Sequence, residues 1–263
     1  MNDIALQAQA VSFSYSNGLV LQNVDLALQR GELAGLLGPN GSGKTTLLRL
    51  LSGLLPPRSG QVLLDGRDLR GMKPRQIARR VAVVPQELHM PFGFSVQEMV
   101  MLGRTPHVRP LAGAGRRDRQ VVEESMRLTA TSDLAERPFS ELSGGEQQRV
   151  VIAMALAQEP EVLLLDEPVV HLDISHQIEI LELVKELNRR RGLTVLATMH
   201  DLNLAALYFD RLILLERGQI VAQGAPGEVL YEERIRQVFG TEVQVQQHPT
   251  RHTPQIVLLP LTI

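Results

Sequence analysis

The strongest chemical signal in the chain is a glycine-rich stretch between a predicted strand, which ends in LAGLLG, and a predicted helix. It comprises Gly38, Pro39, Asn40, Gly41, Ser42, Gly43, Lys44, Thr45 and Thr46. The glycines allow the backbone to wrap around phosphates with its N–H groups pointing inward. Lys44 can reach the β- and γ-phosphates, and the Thr45 hydroxyl can bind Mg²⁺. A glycine-rich turn without a ligand is the alternative, which the flanking strand and helix disfavour.

A pair of acidic residues follows a second apolar run, VLLLD, which is typical of a buried parallel strand. Asp166 stands at the end of this strand, where a carboxylate can hold a metal ion. Glu167 lies one residue further on and can accept a proton from water. Alone, the pair could simply begin a loop. Together with the glycine-rich stretch it indicates a phosphohydrolase that acts on an Mg²⁺-bound nucleotide.

A second pair of glycines, in LSGGE, opens a predicted helix about a hundred residues after the first stretch. Ser143 and Glu146 form a capping box around Gly144 and Gly145. Each glycine weakens a helix by about 1 kcal/mol relative to alanine, and a helix cap alone does not need them. The positive end of a helix can hold an anion, which the backbone approaches most closely at glycine. The sequence therefore predicts either a helix cap or a second phosphate site.

These stretches together resemble the ATP-binding cassette (ABC) ATPases, and the resemblance covers nearly the whole chain. LSGGE matches the family's signature sequence, and four further positions match its other motifs in the family's order. They are Tyr15 (the aromatic that stacks on adenine), Gln86 (Q-loop), Asp173 (D-loop, with Leu172) and His200 (switch histidine). On pattern alone, Tyr15 fits the core of its strand as well as an adenine platform, and His200 could be structural.

The resemblance implies ATP and Mg²⁺ as cofactors and assigns a role to each matched residue. Lys44, Gln86, Glu167 and His200 would be catalytic, and Thr45, Gln86 and Asp166 would hold the metal ion. Tyr15, the stretch from Gly38 to Thr46, the signature residues Ser143, Gly144, Gly145 and Glu146, and Asp173 would bind nucleotide. In this family two cassettes face head to tail, and the signature of one completes the nucleotide site of the other. That arrangement explains why one chain carries two glycine-rich phosphate sites.

The alternation of strands and helices predicts an α/β fold. The resemblance implies a P-loop NTPase core with a parallel sheet, an N-terminal antiparallel β subdomain and an inserted α-helical subdomain. We expect an ATPase domain over residues 1–240, with the helical subdomain at about 87–155. Residues 241–263 are expected to form a short β appendage.

The composition limits the cell compartment and the class of partner. The chain has 263 residues, a formal net charge of −2 and no cysteine. It therefore lacks the basic face that nucleic-acid binding usually requires, and it is compatible with a reducing cytoplasm. No apolar run approaches the length of a transmembrane helix. We expect a peripheral protein at the cytoplasmic face of the plasma membrane, with no nucleic-acid partner.

Two segments of the sequence indicate a narrower class of transporter. The segment that begins HLDISHQ, and LGRTPH at Leu102, look most like the cassettes of importers for iron–siderophore complexes, haem or vitamin B12 (cobalamin). The partners so implied are a second copy of the chain, two membrane permease subunits and, indirectly, a solute-binding protein. The alternatives are the ATPase of another importer class or an exporter, or a soluble cassette that acts on nucleic acid or ribosomes.

Overall fold

The computed structural model describes residues 3–16, 18–88, 93–108 and 113–260. Residues 89–92 and 109–112, within the predicted helical subdomain, lie outside the described residues. The strands are β1 (Ile4–Tyr15), β2 (Gly18–Gln29), β3 (Leu33–Leu37), β4 (Ser59–Leu64), β5 (Arg67–Asp68), β6 (Val81–Val84), β7 (Val162–Leu165), β8 (Thr194–Thr198), β9 (Arg211–Glu216), β10 (Gln219–Gly224), β11 (Val243–Gln247) and β12 (Pro254–Leu258). The helices are α1 (Lys44–Leu51), α2 (Pro74–Ala78), α3 (Val96–Leu102), α4 (Arg116–Leu128), α5 (Gly144–Leu156), α6 (Ile174–Arg191), α7 (Leu202–Tyr208), α8 (Pro226–Val229) and α9 (Glu232–Phe239). None of the helices in the described ranges has the length and apolar character that crossing a bilayer requires.

The chain divides into two compact units, one drawn from residues 1–70 and 194–263 and the other from residues 71–193. The first unit contains an antiparallel sheet in the order β2-β1-β4-β5. It also contains β3, which pairs in parallel with β8 on one side and with β9 on the other. All five residues of β3 and of β8 are buried, as expected for parallel strands that are covered on both faces. The predicted α/β fold, with a parallel sheet and an antiparallel β subdomain, is confirmed.

The C-terminal segment of the first unit is a two-stranded antiparallel sheet made of β11 and β12. The side chain of Asn203, in α7, binds the backbone of β12 at a single residue. Its Oδ1 accepts a hydrogen bond from the Ile256 N–H (2.7 Å), and its Nδ2 donates to the Ile256 carbonyl (3.1 Å). This amide therefore acts as a short extra strand and fixes β12 to α7.

In the second unit, β6 and β7 pair in parallel, and α3, α4 and α5 pack against one another. α3 begins with a capping box, for which the spacing of Ser95 and Glu98 in the sequence is typical. Ser95 Oγ accepts a hydrogen bond from the Glu98 N–H (3.3 Å), and the Glu98 carboxylate accepts one from the Ser95 N–H (2.8 Å). Gly103 follows the last residue of the helix.

A buried arginine joins α3, α4 and the end of α5. Arg104, directly after α3, is 2% exposed. Its Nε donates to Asp118 Oδ1 in α4 (2.9 Å), and its Nη1 donates to the Ala157 carbonyl after α5 (2.6 Å) and to Glu159 Oε2 (2.8 Å). The Gly115 N–H and the Arg104 guanidinium together hold the pKa of Asp118 below its ordinary value, against the effect of burial.

Removing this guanidinium should destabilise the second unit strongly. We expect Arg104→Ala to lower the free energy of unfolding by about 3–5 kcal/mol, because Asp118 loses a buried partner. Urea unfolding followed by circular dichroism measures the loss.

The chain offers a matched control at Glu159, which binds both Arg104 and Arg117. Arg117 binds Glu159 Oε1 at 2.7 Å, but its side chain is 72% exposed. Arg117→Ala should therefore cost no more than about 1 kcal/mol. Equal losses for the two variants would contradict the structural role given to Arg104.

Candidate nucleotide-binding site

The glycine-rich stretch is the loop that joins β3 to α1 in the first unit. Gly38 has a φ of 153°, and an added Cβ would overlap the carbonyl oxygen of Leu215 in β9. Only glycine can therefore bring the loop so close to the neighbouring parallel strand. The N-cap residue of α1 is Gly43, in a left-handed conformation, so that position supplies no side-chain cap. A helix that begins in this way has its N-terminal end suited to an anion.

Lys44 follows this loop as the first residue of α1. It is 6% exposed, and its Nζ donates to the carbonyls of Gly38 (2.8 Å) and Pro39 (3.2 Å). The ammonium group thus binds the start of the loop from the first turn of α1. The buried Oγ of Ser42 has no hydrogen-bond partner among the described residues. A buried hydroxyl in that state fits a loop whose partner is a ligand, since buried polar groups in folded proteins are otherwise satisfied.

Two further candidates lie in the first unit. Tyr15 stands on the β1 face of Val11 and Phe13, which are buried, yet it is itself 43% exposed. Its ring meets that of Phe13 edge to face, with the centroids 4.9 Å apart. The core position that the pattern allowed for Tyr15 is therefore wrong, and the ring is accessible for stacking. His200 is exposed two residues after β8.

Three further candidate residues, Gln86, Asp166 and Glu167, lie in the second unit and follow the carboxyl ends of β6 and β7. Val84 pairs with Leu165, and the Asp166 N–H donates to the Val84 carbonyl (2.9 Å). Asp166 is buried, whereas Gln86, two residues after β6, is exposed. Both therefore follow the ends of adjacent parallel strands, which brings an acidic and an amide side chain to one edge of this pair.

Glu167 has a backbone conformation that L-amino acids rarely adopt. Its φ is 52°, in the left-handed region, directly after the strand end at Asp166. Such a conformation costs about 1–3 kcal/mol in a residue other than glycine, and Glu167 is one of nine described non-glycine residues that adopt it. The chain therefore leaves the direction of β7 at Glu167, one residue after Asp166, the predicted metal ligand.

The signature residues form the predicted capping box at the start of α5. Ser143 Oγ accepts from the Glu146 N–H (3.4 Å), and Glu146 Oε2 accepts from the Ser143 hydroxyl and N–H (2.8 Å each). These two donors hold the pKa of the Glu146 carboxyl below its ordinary value. Gly144 is exposed and Gly145 is buried. Ser143 and Glu146 thus cap α5, and the exposed Gly144 leaves the N-terminal end of this helix accessible to solvent.

Asp173 has a structural role that the sequence reasoning missed. It is the N-cap of α6, and its Oδ1 accepts from the His176 N–H (3.0 Å) and lies 2.6 Å from the ring Nδ1. The backbone and ring of His176 hold the pKa of Asp173 below its ordinary value. The available signal was the spacing of Asp173 and His176, which is that of a capping residue and the third residue of its helix.

Apart from Tyr15 and His200, the predicted residues fall into three groups. One is the loop from Gly38 to Thr46; the second is Gln86 with Asp166 and Glu167; the third is the signature with Asp173. Among the described residues there is no cluster of three or more His, Cys, Asp or Glu side chains that could hold a metal ion. Mg²⁺ does not need one, since it is usually bound by one or two carboxylates together with substrate phosphates.

Comparison with known proteins identifies the family. The ABC transporter family profile matches residues 21–170. The ferric enterobactin transport ATP-binding protein of Escherichia coli is 42% identical over 97% of this chain and 94% of its own length. The achromobactin transport ATP-binding protein of Dickeya dadantii is 41% identical over 95% and 93%. The petrobactin import ATP-binding protein FpuD of Bacillus anthracis is 40% identical over 95% and 92%.

Solved structures give the same result. An ABC transporter in an inward-facing conformation, described as of metal-chelate type, superimposes with a TM-score of 0.87 at 29% identity, over 98% of both chains. A bacterial ABC transporter cassette solved as a dimer superimposes with a TM-score of 0.74 at 30% identity, over 84% of this chain and 98% of the other. Because the family profile matches more than half of the chain and the relatives align with nearly all of it, the chain belongs to the ABC transporter family.

Proposed function

We propose that the chain hydrolyses ATP to drive import of iron–siderophore complexes across a bacterial membrane. Three relatives at about 40% identity carry the names of siderophore systems for enterobactin, achromobactin and petrobactin. These names favour a ferric siderophore over haem or cobalamin, the other cargoes that the sequence suggested. The chain would act as a homodimer bound to two permease subunits at the cytoplasmic face, with a solute-binding protein delivering the cargo to the permeases.

The observation that carries this proposal is the geometry of Lys44. Its buried ammonium group lies against two loop carbonyls, at the start of a helix whose N-cap is glycine. Charged hydrogen bonds from lysine, together with N–H groups at a helix N-terminus, stabilise the charge that spreads over the γ-phosphoryl group during transfer. The Ser42 hydroxyl, which is buried and has no hydrogen-bond partner in the described part of the chain, adds a donor to the same loop.

The side-chain oxygens of Thr45, Gln86 and Asp166 are the donor type that Mg²⁺ prefers, and we propose that they hold it with ATP. When bound, the ion would neutralise charge on the β- and γ-phosphate oxygens. Tyr15 would stack on the adenine ring with its exposed face.

Glu167 is proposed as the general base. It would accept a proton from the water whose oxygen attacks the γ-phosphorus, while the bond to the β–γ bridging oxygen breaks and ADP leaves. His200 would donate to the γ-phosphate. The signature residues from Ser143 to Glu146, with Asp173, would face the nucleotide of the partner cassette, so that each ATP lies between two chains.

Lys44→Met should lower turnover sharply while it keeps most of the side-chain volume. The variant lacks a charged hydrogen bond worth about 1.5–3 kcal/mol for each phosphate contact, so we expect turnover to fall by about 10–100-fold or more. Phosphate release from the purified chain with Mg-ATP measures it. Lys73→Met, which removes an exposed lysine before α2, is the control and should leave turnover unchanged. Normal turnover in Lys44→Met would refute the assignment of this loop.

Glu167→Gln should separate binding from hydrolysis. A positioned general base contributes about 10²–10⁴-fold, so turnover should fall by that order. ATP binding should persist, because the amide has the same size and adds no charge. The ATP-bound dimer should then be long-lived in size-exclusion chromatography with Mg-ATP. His200→Ala, assayed in parallel, tests the competing view that the histidine is the base. Near-parental turnover of Glu167→Gln without an ATP-dependent dimer would overturn the role of Glu167.

The cargo is tested in the organism that makes the chain. With Lys44→Met introduced at the chromosomal gene, uptake of a radiolabelled ferric siderophore should fall to background. Uptake of labelled cobalamin and haem should stay unchanged. Loss of cobalamin or haem uptake alone would reassign the cargo, and unchanged uptake of all three would point to another importer class or an exporter.

A further inference from the structure

The signature helix α5 and the D-loop helix α6 begin with the same local architecture. In each, the N-cap side chain accepts from the N–H three residues later, and that later residue's side chain binds back to the N-cap. In each, a glutamine one position further on also donates to two carbonyls before the helix. Gln147 binds those of Phe139 (3.3 Å) and Leu142 (3.2 Å), and Gln177 binds those of Val169 (3.4 Å) and Leu172 (3.0 Å). The segments 142–147 and 172–177 are thus two copies of one helix start.

The two helix starts lie side by side in the second unit, and His176 fills the space between them. A Cβ added to Gly145 would overlap the imidazole at Cδ2 and would lie 2.8 Å from Cγ and 3.0 Å from Nε2. The same ring holds Asp173 through Nδ1. One turn further along, Arg149 of α5 binds Glu179 of α6 (2.7 Å).

The neighbouring glycine has a different environment. A Cβ on Gly144 would lie 3.4 Å from Leu172 Cδ2, which is close to ordinary van der Waals contact. The two glycines therefore differ in what requires them. Among the described residues, Gly145 has a neighbouring ring that any added side chain would have to displace, and Gly144 has only an ordinary contact.

We propose that His176 is a positioning residue, whose imidazole packs on the bare backbone of Gly145 and holds Asp173, so that the two helix starts keep a fixed spacing. This inference rests on the proposed function, in which the signature and Asp173 both face the nucleotide of a partner chain. Because one ring contacts both, the two features would reach that nucleotide as one rigid body. The buried glycine of the signature would then be required by the histidine in addition to any phosphate.

A second-site rescue tests the pairing on the full chain. Gly145→Ala should lower kcat for ATP hydrolysis at least tenfold, since its methyl group would displace the ring. Adding His176→Ala should raise kcat from the Gly145→Ala value to about the level of His176→Ala alone. If the double variant stays as inactive as Gly145→Ala, the glycine serves only the phosphate and the pairing is overturned.

Gly144→Ala is the matched control. Adding His176→Ala to it should restore nothing, because its methyl group would not meet the ring. An equal gain in both pairs would also overturn the proposal. If Gly145→Ala fails to fold, the pairing is read from the thermal midpoint: its recovery in the double variant supports the contact, and its absence refutes the contact.

The positioning role has its own readout. His176→Ala should lower kcat several-fold and leave the KM for ATP unchanged, because the phosphate-binding loop is not altered. His176→Asn keeps an N–H for Asp173 and should retain more of kcat than the alanine variant. An unchanged kcat in His176→Ala would refute positioning. Inactivity of the parent chain would instead count against the proposed function, and the thermal midpoints of Gly145→Ala, His176→Ala and their double variant would still test the contact.

Discussion

The candidate site depends on one buried positive charge, the ammonium group of Lys44, which lies against the backbone of the glycine-rich loop. Burying a charge is costly unless polar groups surround it, and here the carbonyls of Gly38 and Pro39 do so. They can approach because Gly38 has no side chain to meet the Leu215 carbonyl in β9. Two features of the fold therefore determine where the Lys44 ammonium group lies. They are the parallel pairing of β3 with β9 and the glycine N-cap of α1.

Features with local signals were predictable from the sequence, and features made by distant residues were not. The capping boxes at Ser95 and Ser143 follow from spacings of three residues, and both are present. Tyr15 follows the alternation of its strand but is exposed, because it pairs with Gly18 at the hairpin end, where the sheet stops covering it. Arg104 binds partners more than 50 residues away, and no periodicity reveals such a contact.

The two glycines of the signature show how one motif can serve two constraints. The sequence attributed both to an anion at the helix end. In the structure only Gly144 is open to solvent, while Gly145 is packed under His176. A motif that is matched as a unit therefore contains one position suited to a ligand and one fixed by packing within the chain. A match to the motif does not distinguish the two glycines, whereas their contacts in the structure do.

The central claim is that the Lys44 loop holds the phosphates of ATP. A crystal structure of the chain with Mg²⁺ and a non-hydrolysable ATP analogue tests it most directly. The account predicts Lys44 Nζ within about 2.7–3.2 Å of β- and γ-phosphate oxygens, with at least one of its two loop carbonyls released. A nucleotide bound elsewhere, with Lys44 still donating to both Gly38 and Pro39, would contradict the account.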